Sequence, residues 1–320
     1  MASSTPHSQR ATVFIAASET DANLYYATKF IAPDPFIYLE IKGERILVMS
    51  DLEMDRAKSQ SSVDRVLSYS EVEGRAKTQG IAEPGTVEVV HILLREAGIT
   101  QVLVPANFPF GHAVKFQSLG YQLHPKRDPF YEQRVVKTAE EVCYIEAAQR
   151  ATEQAVAAAY DLLRQASINK DQLWFDGVPL TSERVKKLIN VTLMECDCVA
   201  QHTIVAAGEQ ACDPHNEGSG PLPAHRSIIF DVFPRSATNR YFADMSRTVV
   251  RGTPSPELKR LYQTVLAAQE EAITKVKDGA DGKRIHQGIC AQFEKAGYKT
   301  GLVNGRMQGY FHGTGHGVGL

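Results

Sequence analysis

One aspartate sits where an apolar strand has no ordinary use for it. Ser227-Ile-Ile-Phe-Asp231-Val-Phe233 is a run of large β-forming residues with a carboxylate at its heart. Burying that group costs several kcal/mol unless it is paired, hydrogen-bonded or bound to a metal. Further on, Asp244 occupies a second strand-like run, Tyr241-Phe-Ala-Asp-Met-Ser-Arg-Thr-Val-Val250. Side chains alternate along a strand, so Asp231 shares a face with Ile229, and Asp244 with Phe242 and Ser246. The stretch between them, Pro234-Arg-Ser-Ala-Thr-Asn239, is rich in turn formers and predicts an antiparallel hairpin. Both carboxylates would then be cross-strand neighbours on one face, where like charges repel. A divalent cation, or a pair of them, removes the repulsion. On the two strands alone, a salt bridge to Arg235, Arg240 or Arg247 does so equally well.

The C-terminal run weighs toward the cation. Phe311-His312-Gly-Thr-Gly-His316-Gly-Val-Gly-Leu320 sets two histidines among four alternating glycines. Glycine lets backbone approach a ligand closely. The spacing is neither G-x-G-x-x-G nor H-E-x-x-H, so neither a dinucleotide fingerprint nor a zincin helix is implied. A third histidine, His215, follows the strand-like run 199–206 and the turn at Gly208.

Around these residues the chain divides in two. Up to about residue 133, β-rich runs at 12–16, 36–41, 45–49 and 101–105 alternate with helical patterns at 51–59 and 86–97, which predicts a small α/β domain. Gly43 marks a hairpin over Ile41–Arg45. Residues 124–134, rich in Pro and charge, read as the boundary. Beyond it, Thr138 and Glu141 form a capping box for a long helix whose apolar face runs Val142, Ile145, Val156, Ala159 and Leu163. A second helix carries Val185, Leu188, Ile189 and Leu193. A third, capped by Ser255 with Pro256 at its first position, shows Leu258, Leu261, Tyr262, Val265 and Leu266. A fourth shows Ile285, Ile289 and Phe293 and stops at Gly297. Helices flanking the strand-like runs 199–206, 226–233 and 241–250 make residues 134–320 an α+β domain with a mostly antiparallel sheet.

Composition excludes several classes. Of 320 residues, 35 are Lys or Arg and 37 Asp or Glu, which gives no footprint for nucleic acid or an anionic membrane. No apolar run reaches the ~18 residues of a membrane helix. The N-terminal MASSTPHSQR is polar and the apolar stretch after it is too short for a signal peptide. Five cysteines without a C-x-x-C pair read as reduced thiols of a cytoplasmic protein. Cys196 and Cys198 read as packed thiols, not as half of a metal site.

Taken together, Ile204-Val-Ala-Ala-Gly208, Pro214-His215, Asp231, Asp244-Met-Ser-Arg-Thr248 and His312-Gly-Thr-Gly-His316-Gly resemble, in order and context, the Xaa-Pro aminopeptidase and prolidase family. These are pita-bread metallopeptidases related to creatinase and methionine aminopeptidase. The resemblance implies a creatinase-like N-terminal domain over 1–133 and a pita-bread catalytic domain over 134–320. It implies a pair of divalent metals held by Asp231, by Asp244 as the bridging carboxylate, and by His316. An oxygen-rich set tilts toward Mn²⁺, with Co²⁺ or Zn²⁺ as alternatives. His215 matches a histidine that assists proton transfer, His312 one that lines the substrate pocket, and Ser246 a hydrogen-bonder to the bridging carboxylate or water.

The implied activity is removal of an N-terminal residue before proline, by a homodimer acting on peptides. The alternatives are a creatinase-like hydrolase of a small C–N substrate, or a pita-bread protein that only binds peptide. Phe233 stands where the family commonly has glycine. The family draws two glutamate ligands, a further histidine and an arginine from sequence after the histidine motif, so residues 1–320 are expected to hold an incomplete and inactive ligand set.

Overall fold

The structure, a computed structural model, describes residues 10–320; the polar N-terminal stretch read above lies, apart from Arg10, outside the described residues. The chain forms two compact units that meet in sequence between Val136 and Lys137, three residues past the expected boundary.

The first unit carries six strands: β1 (Arg10–Ala16), β2 (Phe36–Ile41), β3 (Glu44–Met49), β4 (Arg65–Ser68), β5 (Gln101–Pro105) and β6 (Gln122–Lys126). They form one mixed sheet in the order β4-β3-β2-β1-β5-β6. The β2–β3 hairpin closes through Lys42 and Gly43, both at positive φ (53° and 86°). Two consecutive left-handed residues match the twist of the flanking strands, which is why glycine belongs there. Helices α1 (Ala22–Thr28), α2 (Met54–Gln60), α3 (Tyr69–Thr78), α4 (Thr86–Glu96) and α5 (Phe110–Ser118) accompany the sheet. Two apolar clusters fill the unit, one joining Val13, Leu39 and Val102 to Val90 and Leu94 of α4, the other centred on Phe14, Phe30 and Tyr38.

The second unit opens with α6 (Ala139–Gln165). Its capping box forms as expected: Thr138 Oγ1 accepts from the Glu141 N–H at 3.2 Å, and Glu141 Oε2 accepts from the Thr138 N–H at 2.8 Å. Of the expected face, Val156, Ala159 and Leu163 are buried, but Val142 is exposed, because the core turns toward Ala148, Ala151 and Ala155. A small meander, β7 (Ser167–Asn169), β8 (Gln172–Phe175) and β9 (Val178–Pro179), leads to α7 (Ser182–Glu195). Val185, Ile189 and Leu193 of α7 are fully buried. The expected strand at 199–206 is two pieces, β10 (Cys198–Val199) and β11 (Ile204–Ala207). The other two are shorter than read, β12 (Ile228–Val232) and β14 (Met245–Val249), with β13 (Arg235–Ser236) between them pairing with β10.

Strands β11, β12 and β14 form an antiparallel sheet with β12 at its centre. Ile228, Phe230 and Val232 point into a core shared with α6 and α7, so Ile229 and Asp231 face the other way. The carboxylate therefore avoids the core that its neighbours build. Helices α8 (Pro256–Lys275) and α9 (Gly282–Lys295), then the hairpin β15 (Gly301–Val303)–β16 (Arg306–Gln308), complete the unit. Ser255 caps α8 and Pro256 opens it. Its expected apolar face is not buried: Leu261, Tyr262, Val265 and Leu266 are 37–49% exposed, and Ala268 and Ala272 are the residues that pack, with Ile289 of α9.

Candidate metal centre

The register of the β11–β12–β14 sheet places the carboxylates. Asp231 lies opposite Ile204 on one side and Ser246 on the other. Asp244 directly precedes β14, so it is a diagonal rather than a direct neighbour of Asp231, on the same face. Ser246 Oγ donates to Asp231 Oδ1 at 2.5 Å. This corrects the expected partner of Ser246: the residue opposite in register takes the bond, and that is Asp231, not Asp244.

Three ties fix the segment before Asp244. The Tyr241 hydroxyl donates to Glu141 Oε1 at 2.7 Å, in the interior at the start of α6. The Ala243 N–H donates to the Pro234 carbonyl, and the Phe242 N–H to the Gly319 carbonyl, both at 3.0 Å. The last bond fastens the glycine-histidine run beside the aspartates. Gly319 has φ +115°, and a Cβ there would fall 2.9 Å from Ile145 Cδ1. That approach and the left-handed φ together favour glycine. Gly313, Gly315 and Gly317 have open space where a Cβ would stand, so crowding explains only one of the motif's four glycines.

His316 points its Nε2 at Asp244 Oδ2, 3.4 Å away. Its Nδ1 lies 2.9 Å from the Gly317 carbonyl, which can only accept, so Nδ1 carries the hydrogen. A neutral ring of that tautomer presents its Nε2 lone pair beside a carboxylate oxygen, and a protonated ring donates to it. Burial and the neighbouring Asp231 push the Asp244 carboxyl above its ordinary range, and His316 draws it partly back.

The donor set fits a divalent cation. A carboxylate oxygen and an imidazole nitrogen that share one ion with bonds of about 2.0–2.2 Å lie roughly this far apart. A backbone carbonyl that fixes Nδ1–H is the usual means of aiming Nε2 at a metal. The set is partial: among the described residues no three His, Cys, Asp or Glu side chains converge as a ligand cluster.

Asp231, Asp244 and His316 line one cavity of about 640 Å³ together with His215, Phe233 and Phe242. His215 stands in the segment after β11 and lines the cavity. His312 does not line this cavity. Its Nδ1 is 2.8 Å from the Gly313 carbonyl and its ring packs edge-on against Tyr310, with centroids 4.6 Å apart.

Two lining residues were not expected. Glu217 Oε1 lies 2.8 Å from His202 Nδ1, and the pair separates the cavity from a second one of about 440 Å³ beside α7. His202 holds a left-handed φ of 59°, and the Glu217 carbonyl accepts from the Val205 N–H of β11. Gly218 allows that approach, since a Cβ on it would stand 1.9 Å from the Val205 carbonyl oxygen. The only trace in the sequence was Asn-Glu-Gly directly after His215.

Among known proteins, residues 143–320 match metallopeptidase family M24. The chain is 26% identical over 194 residues to the Xaa-Pro dipeptidase of Pyrococcus furiosus, covering 60% of this chain and 50% of that one. It is 24% identical over 305 residues to the Xaa-Pro dipeptidase of Pyrococcus horikoshii, covering 93% and 75%. The chain thus spans half the length of the first relative and three quarters of the second. The fold is that of the prolidase from Pyrococcus horikoshii (TM-score 0.70, 20% identity, 91% of this chain and 75% of that one). It also matches the Xaa-Pro dipeptidase from Bacillus anthracis (TM-score 0.76, 17% identity, 97% and 77%). A match over more than half the chain, carrying the aspartate strands and the glycine-histidine run, leaves one assignment: the chain belongs to metallopeptidase family M24.

Proposed function

We propose that this protein is a metal-dependent exopeptidase that hydrolyses the bond between an N-terminal residue and proline. The observation that carries the reading is His316 Nε2 standing 3.4 Å from Asp244 Oδ2, beside a second carboxylate on the same strand face. Asp231, Asp244 and His316 would hold divalent metal, two ions in the fullest form, with Mn²⁺ favoured by the oxygen-rich donors. When bound, such ions supply an activated water and polarise the scissile carbonyl.

The chain's own residues do the rest. His215 faces the cavity from a loop, where it can pass a proton toward the departing nitrogen. Phe233 and Phe242 form an apolar wall that suits a pyrrolidine ring or the side chain before it. Proline lacks an N–H and fixes its own φ, so selection for it rests on shape and apolar contact. The names of the Pyrococcus relatives support the same substrate class.

The test is release of N-terminal residues from Xaa-Pro dipeptides, longer Xaa-Pro peptides and Xaa-Ala controls, with Mn²⁺, Co²⁺ or Zn²⁺ at millimolar concentration and creatine as comparator. Any metal-dependent hydrolysis is expected to be confined to Xaa-Pro substrates. Equal cleavage of Xaa-Ala, or turnover of creatine alone, would overturn the proposal.

A further inference from the structure

A nucleophile and a base stand together away from the aspartates, between α9 and the glycine-histidine run. Cys290 Sγ lies 3.6 Å from His286 Nε2, one helical turn earlier on α9. His286 Nδ1 lies 2.9 Å from Thr314 Oγ1, and that same oxygen accepts the Tyr310 hydroxyl at 2.8 Å. Tyr310 is held by the rings around it, with centroids 5.2 Å from Phe293 and 5.4 Å from His286. A threonine oxygen has two acceptor sites. With one taken by Tyr310, the second is open to the His286 Nδ1–H, while in the other tautomer the Thr314 hydroxyl donates to Nδ1. In the first tautomer Nε2 is bare and faces the Cys290 thiol. Nucleophile, base and a group that orients the base are thus in the arrangement that activates a cysteine.

The other four cysteines lack it. Cys143 and Cys212 are exposed, Cys198 is buried, and Cys196 meets the Gln154 amide oxygen at 3.3 Å. Burial also pushes the Cys198 thiol up, away from reactivity.

We propose that Cys290 is a modification site for peroxides and related soft electrophiles, with His286 as its base and Thr314 as the positioning residue. In the step, the Sγ proton passes to His286 Nε2 and the sulfur attacks one oxygen of hydrogen peroxide. The S–O bond forms and the O–O bond breaks. The departing hydroxide takes the proton from His286 and leaves as water. Sulfur is oxidised to the sulfenic acid and the peroxide is reduced.

The five thiols supply their own controls. The reduced protein is treated at pH 7 with limiting hydrogen peroxide plus dimedone, and in parallel with iodoacetamide, and the labelling rate at each cysteine is read by peptide mass spectrometry. An ordinary thiol is only a few per cent thiolate at pH 7, so an oriented base can raise the rate about tenfold. Half-buried Cys290 should therefore outpace exposed Cys143 and Cys212 by about tenfold with both reagents. His286→Gln should remove that advantage while Cys143 and Cys212 keep their rates. Thr314→Val should reduce it. If the glutamine variant exposes Cys198 to labelling, and so has lost its fold, the valine variant decides. Labelling of Cys290 no faster than Cys143 in the parent, or unchanged in a folded variant, would overturn the proposal.

Discussion

Asp244→Asn should make the metal-free protein more stable while abolishing its response to metal. Asp231 is opposite Ser246, so Asp244 is its diagonal neighbour across β12 and β14. Diagonal pairs have Cα atoms about 7–8 Å apart, with side chains somewhat closer. At about 6 Å, two unit charges repel by about 0.7 kcal/mol in water and by about 3 kcal/mol at an effective dielectric of 20. The Asp244 side chain is 33% exposed, which places the gain from the amide near the lower end, about 1 kcal/mol. For a unit of this size that is a rise in Tm of about 2–4 °C.

The pH dependence gives a second check on the same variant. The folded-state carboxyl of Asp244 titrates above its unfolded value. Its protonation therefore stabilises the fold below the unfolded value, and that contribution is lost as pH rises through the folded one. The asparagine variant should lead at pH 7, and the lead should close as the pH falls below about 4, where the parent is neutral as well. Thermal melts with and without Mn²⁺ across this range are the assay. Added metal should raise the Tm of the parent and leave the variant unmoved. A variant that melts lower than the parent at neutral pH, or that keeps its metal-induced shift, would show that Asp244 is a structural ion-pair partner and not a metal ligand.

Four further outcomes are expected. His215→Ala should keep the metal-induced rise in Tm while turnover of an Xaa-Pro substrate falls about 10²–10⁴-fold, since the residue is assigned to the proton and not to the metal. Ser246→Ala removes the hydroxyl that orients Asp231 and should weaken metal affinity about 10–100-fold in calorimetric titration, with the far-UV spectrum unchanged. Gly218→Ala drives a Cβ into the Val205 carbonyl at positive φ and should cost about 2–4 kcal/mol, read as a large fall in Tm. Gly313→Ala, which meets open space, should leave Tm nearly unchanged.

What could be read in advance follows from the range over which each signal acts. The α6 capping box, the Ser255-Pro256 start of α8 and the Lys42-Gly43 turn involve residues within a few positions of one another, and all three form as their chemistry requires. Alternation alone also set Asp231 apart from Ile228, Phe230 and Val232. Periodicity names residues that share a face but not what covers the face. Leu261, Tyr262, Val265 and Leu266 do share one on α8, and it is exposed, while the smaller Ala268 and Ala272 meet α9.

Register was the decisive unknown at the site. Parity put both aspartates and Ser246 on one side of the sheet, yet any even offset satisfies parity. The observed offset matches Ser246 to Asp231 and leaves Asp244 at the strand entrance, free to meet an imbalance of charge with His316 instead of a hydroxyl. That offset depends on contacts distant in sequence: Tyr241 to Glu141, and Phe242 to Gly319. The His202–Glu217 pair was hidden for the same reason, because it needs a left-handed histidine and the approach of Gly218 to Val205. Chemistry-bearing residue types stand out in the sequence because they are costly where they lie. The partner that offsets the cost is chosen by the fold, and in this sheet a shift of two residues would set Asp244 directly opposite Asp231 and leave Asp231 without its hydrogen bond.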